Sequence, residues 1–562
     1  MSRDVTVNKT NPIVRVLPSM TDLAFLMPIL FLFTRLDGAK TMLGDGDTGW
    51  HIRTGQWILA HGQVPHQDIF SFTKPGQPWY AWEWLWDTSF AWLYDRGGLG
   101  IVVAASILVL CLTFALLFRL VSRHCGNPFV AITFTFLACA ASAIHWLARP
   151  HLFTMLFTVL LLMALDSDRT RRTRWLWALP LFFILWTNLH GGFFVGLIIL
   201  GGFMAGEFAG ALFAASSGER RAALRSGVRY AAIALACAAV TLVNPYGYHL
   251  HAHIYQFFSE PYHVQNIAEY QSVSFHSPAA LYLETLLLFG AFAVAWFVIK
   301  RRDFVPLVLI AGWAHLSLFA ARNIPLFAIV AAPFIAQAVF GALLGLESAS
   351  VAQWFRRAAG GLRNVGEEFL QIDRHWRLHG VSVLAALLMA LLIVNPNATG
   401  KLKPEYDPQR YPAKALSVLR ADPNSRIFSD DEWGDYLLYN LYPGHKVFVD
   451  GRDDFYGQEF EQKYLDVINV KYDWEQTLDK YHVDTIVLPT TTALAGAIKQ
   501  SSHWRAIYDD TVAIIFRAVP EQAAESQQVS AGAAGVKVRD PGITKAVHRD
   551  PKLVAVRQPK GV

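Results

Sequence analysis

Two carboxylates one residue apart, Asp45-Gly46-Asp47, follow the first apolar run of this 562-residue sequence, and His51 stands four residues further on. Such a pair can take a proton from an attacking hydroxyl, or hold a hard divalent cation through oxygen. It departs from a calcium loop, because Gly49 and Trp50 occupy the places of a third ligand and the loop glycine. Further on come Trp82-Glu83-Trp84, Arg149-Pro150-His151, Asn188-Leu189-His190-Gly191-Gly192, Asn244-Pro245-Tyr246-Gly247 and Arg322-Asn323. Arginines form charge-assisted hydrogen bonds to phosphate, so Arg149 and Arg322 are candidate phosphate ligands, with His190 as a third donor. His51, His151, Asn188, Asn244, Tyr246, Asn323 and Glu284 are candidate contacts for a polar substrate. Each feature also has a plainer reading: a turn at Asp45-Gly46-Asp47, snorkelling anchors at the two arginines, a helix stop at Asn244-Pro245, a tight interhelical turn at Asn188. His249, His251 and His253 share a face if extended, but no fourth metal ligand accompanies them, and interface histidines are the simpler account.

The elements that position these residues are membrane helices. The chain is 53% hydrophobic and 17% charged, with 18 tryptophans, a balance suited to a bilayer as solvent. Crossing the hydrocarbon core takes ~20 mainly apolar residues. Runs centred on 22–36, 101–118, 129–147, 150–166, 175–190, 192–214, 230–244, 278–299, 304–321, 324–346 and 380–396 predict a polytopic α-helical membrane protein of about eleven spans. The net charge of +5 lacks the basic stripe of a nucleic-acid partner. The four cysteines form no paired framework, and no cleavage site follows the first apolar run, which predicts a retained helix.

Alternate loops carry the cations: Arg119 and Arg123, then Arg169 to Arg174, Arg220 to Arg229, Lys300 to Arg302, and Arg356 to Arg377. By the positive-inside rule these and residues 1–20 are cytoplasmic. The chemically capable motifs then all fall at the opposite, trans ends, together with a long loop over 44–100. Ionisable groups at membrane depth are costly and usually mark a substrate path or site. Glu284, two turns inside its span, needs a partner there, with Arg149 or Arg322 as candidates. Within the loop, Thr48 to Ala60 predicts a short helix placing Asp47 and His51 on one face. A Trp-rich helix over Trp79 to Tyr94, suited to the headgroup region, carries Glu83 and Asp87, with a turn at Lys74-Pro75-Gly76-Gln77 between the two helices.

A first span followed by Asp45 and Asp47 on a large trans loop, amphipathic helices in that loop, many spans and a trans-side C-terminal domain together resemble the GT-C superfamily of integral-membrane glycosyltransferases. The runs Asp47-Thr48-Gly49-Trp50-His51 and Asp450-Gly451-Arg452-Asp453 resemble those of uncharacterised bacterial members. The resemblance implies an integral protein of the bacterial inner membrane, with its site and C-terminal domain periplasmic or extracellular. It implies a sugar donor on a polyprenyl phosphate, a glycan, lipid or protein acceptor, and Asp45 or Asp47 as base or as ligand to a cation such as Mg or Mn. Glu83 is the next candidate base. No Trp-Trp-Asp run is present; Glu432-Trp433-Gly434-Asp435 is a loose echo. A single displacement would invert the anomeric centre, and no carboxylate pair is evident for a retaining route. A transporter or lipid flippase also fits many spans and intramembrane charge, but no internal repeat supports it. A noncatalytic scaffold is the third reading.

The sequence divides into 1–20, a membrane module 21–399, a small α/β domain 400–520 and a tail 521–562 whose composition predicts disorder. The α/β domain should hold strands at Arg426–Ser429, Lys446–Asp450, Thr485–Leu488, Ala506–Tyr508 and Val512–Phe516, with Asp450-Gly451-Arg452-Asp453 at a strand end as either an acceptor contact or a solvated turn.

Overall fold

A computed structural model describes residues 17–347, 349–373 and 377–519, so the expectations for 521–562 and most of 1–20 lie outside the described residues. Each apolar run becomes a helix because its backbone groups find partners within the segment, as a bilayer demands. Helix starts follow local rules. Ser19 and Asp22 form a reciprocal cap ahead of Met20–Arg35. Asn127 caps Pro128–Ser142, where proline sits at the first turn. Among the described residues seven helices are long and apolar enough to cross a membrane: Trp84–Cys125, Pro128–His145, His151–Arg171, Gly191–Leu212, Ser217–Val240, Ala280–Arg301 and Ala321–Glu347. Val305–Phe319 and Gly380–Val394 are shorter apolar helices, and Met20–Arg35 and Leu179–Leu189 are shorter than a bilayer span requires. The Ile324–Glu347 helix is buried along most of its length and packs against Pro128–Ser142, Trp84–Cys125, Ala280–Trp296 and Val305–Phe319.

The first loop folds against this bundle. Its helix runs Asp47–His61, one residue longer at each end than expected, and packs on the Trp84–Cys125 helix. The approach needs glycine at position 55, where a Cβ would fall 1.9 Å from the Asp87 carbonyl oxygen. The Trp-rich segment differs from its expectation. It becomes helical only at Trp84, and a non-helical break at Gly97 and Gly98, the latter at φ +61°, separates it from the helix of the second apolar run, which ends at Cys125. Trp79 and Trp86 lie in the protein core instead of the headgroup region, whereas Trp92 is exposed. The histidine segment is also helical, Tyr248–Ser259, not extended. This sends His251 to Thr241 Oγ1 at 2.8 Å and His253 to Asp454 Oδ2 at 2.9 Å.

The C-terminal unit holds a four-stranded sheet in the order β1-β2-β4-β3: Ile427–Phe428, Thr485–Pro489, Ala513–Ala518 and Trp504–Asp509. β1 and β2 run parallel, and the remaining pairs are antiparallel. The expected strand at 446–450 does not form. Val447 instead makes isolated bridges to Ile427 and to Ser71 of the first loop, stitching loop to sheet. Below that seam Arg452 is almost fully buried, bonding Asp450 at 2.7 Å and Asp68 of the loop at 2.8 Å, with its guanidinium over the Trp79 ring. Asp450 and Arg452 thus form an internal ionic clamp with Asp68, not a solvated turn. The buried cation is tolerated because Nε and Nη2 meet carboxylates, while Nη1 is left without a hydrogen-bond partner.

Candidate active site

The clamp brings the C-terminal unit over the first loop, and between them and the helix ends lies a cavity of about 980 Å³. One part is ionic, lined by Asp45, Asp47, Glu83, Arg149, Glu269, Arg322 and Asp435. The other is apolar, lined by Phe194, Ile198, Phe258, Trp313, Leu316 and Leu326. Ile198 and Phe258 are half exposed, so this apolar wall is accessible.

Arg149 organises the ionic part. It follows Leu147 and Ala148, whose backbone N–H bonds the Met42 carbonyl, which fixes it beside the start of the first loop. One terminal nitrogen bonds Asp45 Oδ2 at 2.8 Å and Glu269 Oε1 at 3.2 Å, and the other reaches Asp47 Oδ2 at 2.5 Å. A fourth carboxyl, Asp435, hydrogen-bonds Asp47, and its Oδ1 accepts the Gly451 N–H at 2.9 Å. One guanidinium cannot neutralise this many carboxylates, so protons stay in the cluster. Burial lifts Asp47 to about 7 against the pull of Arg149, with Asp45 and Glu269 pushing the same way. Burial, then the charges of Asp47 and Asp450, raise Asp435 well above the carboxylate range. For Glu269 burial is outweighed by Arg149, His145 and Arg322, which bring it down to about 2. Asp47 is therefore poised to exchange a proton near neutral pH while Glu269 stays ionised. This is the condition a general base requires.

Around this cluster the cavity gathers most of the sequence candidates. Glu83 lines it, burial pushes its carboxyl well up, and Oε2 has no hydrogen-bond partner. His51 stacks on Trp50 with its Nδ1 2.7 Å from Asp87 Oδ1, and burial holds the ring neutral. His190 Nδ1 lies 2.8 Å from Thr154 Oγ1 and accepts the Gly192 N–H at 3.1 Å, so Nε2 carries the proton and is a donor. Arg322 lies over the Tyr270 ring at 4.6 Å, 4.0 Å from Glu269. His151 and Asn323 also line the cavity, their side chains bonded to the His145 and Leu316 carbonyls.

Other candidates serve the frame. Asn188 spends its amide on the Ile184 and Val243 carbonyls and accepts from Trp84 Nε1. Asn244 closes its own turn through Thr241, Gly247 and Tyr246. The Tyr246 hydroxyl ties down the loop, donating to the Pro65 carbonyl and accepting from Ala81 N–H, both at 2.8 Å. These three lie outside the cavity lining, as does Glu284. Glu284 pairs with neither arginine: the carboxylate shared by Arg149 and Arg322 is Glu269, from the loop ahead of that helix. Sequence reasoning missed Glu269, an isolated carboxylate in Ala268-Glu269-Tyr270 with no motif around it. Asp435 had a visible signal in Glu432-Trp433-Gly434-Asp435.

The expectation of a cation at Asp45 and Asp47 meets a different arrangement. The Arg149 guanidinium occupies the space between the two carboxylates, and among the described residues no three His, Cys, Asp or Glu side chains form a metal-holding group.

No protein-family model matches the chain, and no curated protein does. Solved structures do align with it. The oligosaccharyltransferase AglB of Archaeoglobus fulgidus, in complex with an inhibitory peptide and a dolichol-phosphate, matches at 14% identity over 90% of this chain and 74% of that one, with a TM-score of 0.50. Its apo form matches at 12% identity over 89% and 74%, also with a TM-score of 0.50. ArnT of Cupriavidus metallidurans in the apo state aligns at 15% identity over 89% of this chain and 98% of that one, with a TM-score of 0.43. These two alignments show that the chain has the fold of that oligosaccharyltransferase.

Proposed function

We propose that this protein is a glycosyltransferase that moves a sugar from a polyprenyl-phosphate-linked donor to an acceptor hydroxyl or amide, in a cavity on the trans side of a bacterial inner membrane. The observation that carries this reading is the composition of a single cavity. Its ionic part holds a carboxyl poised near pH 7 beside arginines, and its apolar part is walled by Phe194, Ile198, Phe258, Trp313 and Leu316, two of them half exposed. A lipid-linked phosphate sugar has the same division. The AglB structure with dolichol-phosphate shows that a protein of this fold takes a polyprenyl phosphate.

In this mechanism Asp47 takes the acceptor proton while the acceptor atom attacks the anomeric carbon. The bond from that carbon to the phosphate oxygen breaks, and its electron pair stays on the phosphate. Arg322 and the Nε2–H of His190 stabilise the departing charge, as cations and preorganised donors do for phosphoryl leaving groups. Arg149, pinned by three carboxylates, positions Asp47 more than it binds phosphate. Asp435 shares the proton that Asp47 accepts. One displacement inverts the anomeric centre. The eleven-span topology, cytoplasmic cation-rich loops and the division at residues 399 and 400 belong to the same reading. The experiment is to supply the full-length protein in nanodiscs with a panel of polyprenyl-phosphate sugars and measure release of the lipid phosphate. Release from at least one donor supports the reading. Binding and translocation of such lipids without cleavage of the sugar bond would favour a flippase.

A further inference from the structure

At the end of the bundle opposite Asp47 lies a second cavity of about 730 Å³. Its position follows from the His151–Arg171 helix. The first turn of this helix lines the first cavity, and Asp166, Arg169 and Thr170 at its other end line the second. At 1.5 Å per residue that helix is roughly 30 Å long, the depth of a bilayer's hydrocarbon core.

The second cavity has three zones. Its floor is apolar, formed by Leu162, Phe203, Phe297 and Phe334. Its walls hold charge already matched. His124 Nε2 lies 2.9 Å from Asp166 Oδ1, and Arg169 bonds both oxygens of Asp303 at 3.0 Å and reaches Glu207 at 3.4 Å. These pairs tie four segments together and shape the space. At the rim Arg123, Arg301 and Arg302 are exposed, and none forms an ion pair among the described residues. Beside the rim Phe213, 61% exposed, stacks on Phe304 at 5.0 Å, so the mouth is apolar toward the outside of the bundle. Arg301 rests over the Trp296 ring at 5.3 Å, and cations without an ion-pair partner around an apolar hollow match an amphiphile that carries phosphate, since basic pockets between membrane helices are suited to anionic headgroups.

We propose that this cavity binds the phosphodiester headgroup of an anionic membrane phospholipid, with Arg123, Arg301 and Arg302 on the phosphate and an acyl chain along Phe213 and Phe304. The site shares no lining residue with the first cavity, so it stands or falls independently of glycosyl transfer.

The test is native mass spectrometry of the full-length protein from neutral detergent, titrated with phosphatidylglycerol and, separately, phosphatidylcholine. Phosphatidylglycerol should be retained at least tenfold more strongly. The double variant R123A/R302A should lose that preference. Arg174→Ala, which removes a cation of the same end but outside the cavity, should keep it. If the double variant does not fold, Arg123→Gln and Arg302→Gln supply the same readout singly. Equal retention of the two lipids, a preference unchanged in the cavity variants, or one lost equally in Arg174→Ala would overturn the proposal. So would displacement of phosphatidylglycerol by equimolar inorganic phosphate, which would assign the cavity to a soluble anion.

Discussion

Asp47 and Asp435 meet over Gly451: a Cβ at that glycine would lie 2.6 Å from Asp47 Oδ1 and 2.6 Å from Asp435 Oδ2. One carboxyl comes from the first loop and the other from the C-terminal unit, so the candidate base is complete only when the two are docked. Only glycine at 451 leaves room for the pair, and its N–H also holds Asp435.

This pairing sets the pH dependence. Asp47 acts as base only when ionised, and burial raises it to about 7, so kcat/KM should climb with pH and level off above roughly 7 to 8. Asp435, held protonated, gives Asp47 a hydrogen bond that lowers the Asp47 pKa, so Asp435→Ala removes it and the acid limb should move to higher pH. A pH–rate profile of the variant that overlays the parent profile would show that the Asp435 carboxyl does not act on Asp47.

The two arginines of the cavity should separate kinetically. Arg322 pairs only loosely with Glu269 at 4.0 Å, so Arg322→Ala should raise KM for the lipid donor by about 10- to 100-fold, the worth of a charge-assisted hydrogen bond. Arg149 holds Asp45 and Asp47, so Arg149→Ala should instead lower kcat. Steady-state kinetics with a defined donor checks both. The same KM change in each variant would mean that both arginines contact phosphate.

The buried clamp carries a stability prediction. Arg452→Met leaves Asp68 and Asp450 buried without their cation, and breaking such a cluster typically costs about 3–5 kcal/mol. Replacing all three residues by apolar ones of similar volume should recover most of that loss. Tryptophan-fluorescence unfolding in detergent measures it. A single variant as stable as the parent would show that the clamp does not hold the loop to the C-terminal unit.

The proposed topology places reporter fusions at Arg171 and Arg301 in the cytoplasm and those at Trp79, Tyr262 and Gln458 on the trans side. Enzyme reporters active only on one face read this directly. Swapped signals at any two of these positions would dismantle the one-sided site.

What the sequence made legible follows from the range of the forces involved. Apolar period and length placed a helix at every expected run, and Asp45, Asp47, Arg149 and Arg322 could be singled out because charge is rare near membrane helices. Partners set by long-range packing were not readable. Glu269 in place of Glu284 depends on how the loop before the Ala280–Trp296 helix folds back onto Arg149. Residues 446–450 have strand-forming composition, yet their edge is taken by Ser71, a partner 376 positions away in sequence. Asn188, Asn244 and Tyr246 carry the same groups a substrate contact would, and only the described hydrogen bonds show them spent on backbone and loop. The Trp-rich segment misled for a related reason, because tryptophan spacing is the same in a membrane-surface helix and in one buried against a second helix.

Asp47 as the base of a sugar transfer is tested by the turnover of Asp47→Asn with a polyprenyl-phosphate sugar and a defined acceptor. Asparagine keeps the size and the hydrogen bond to its neighbours but cannot take a proton. Turnover should fall by about 100-fold or more, the usual loss for a general base, while the donor dissociation constant changes little. Near-normal turnover in this variant would contradict the account and move the search to Glu83, a buried carboxyl of the cavity wall whose Oε2 has no hydrogen-bond partner.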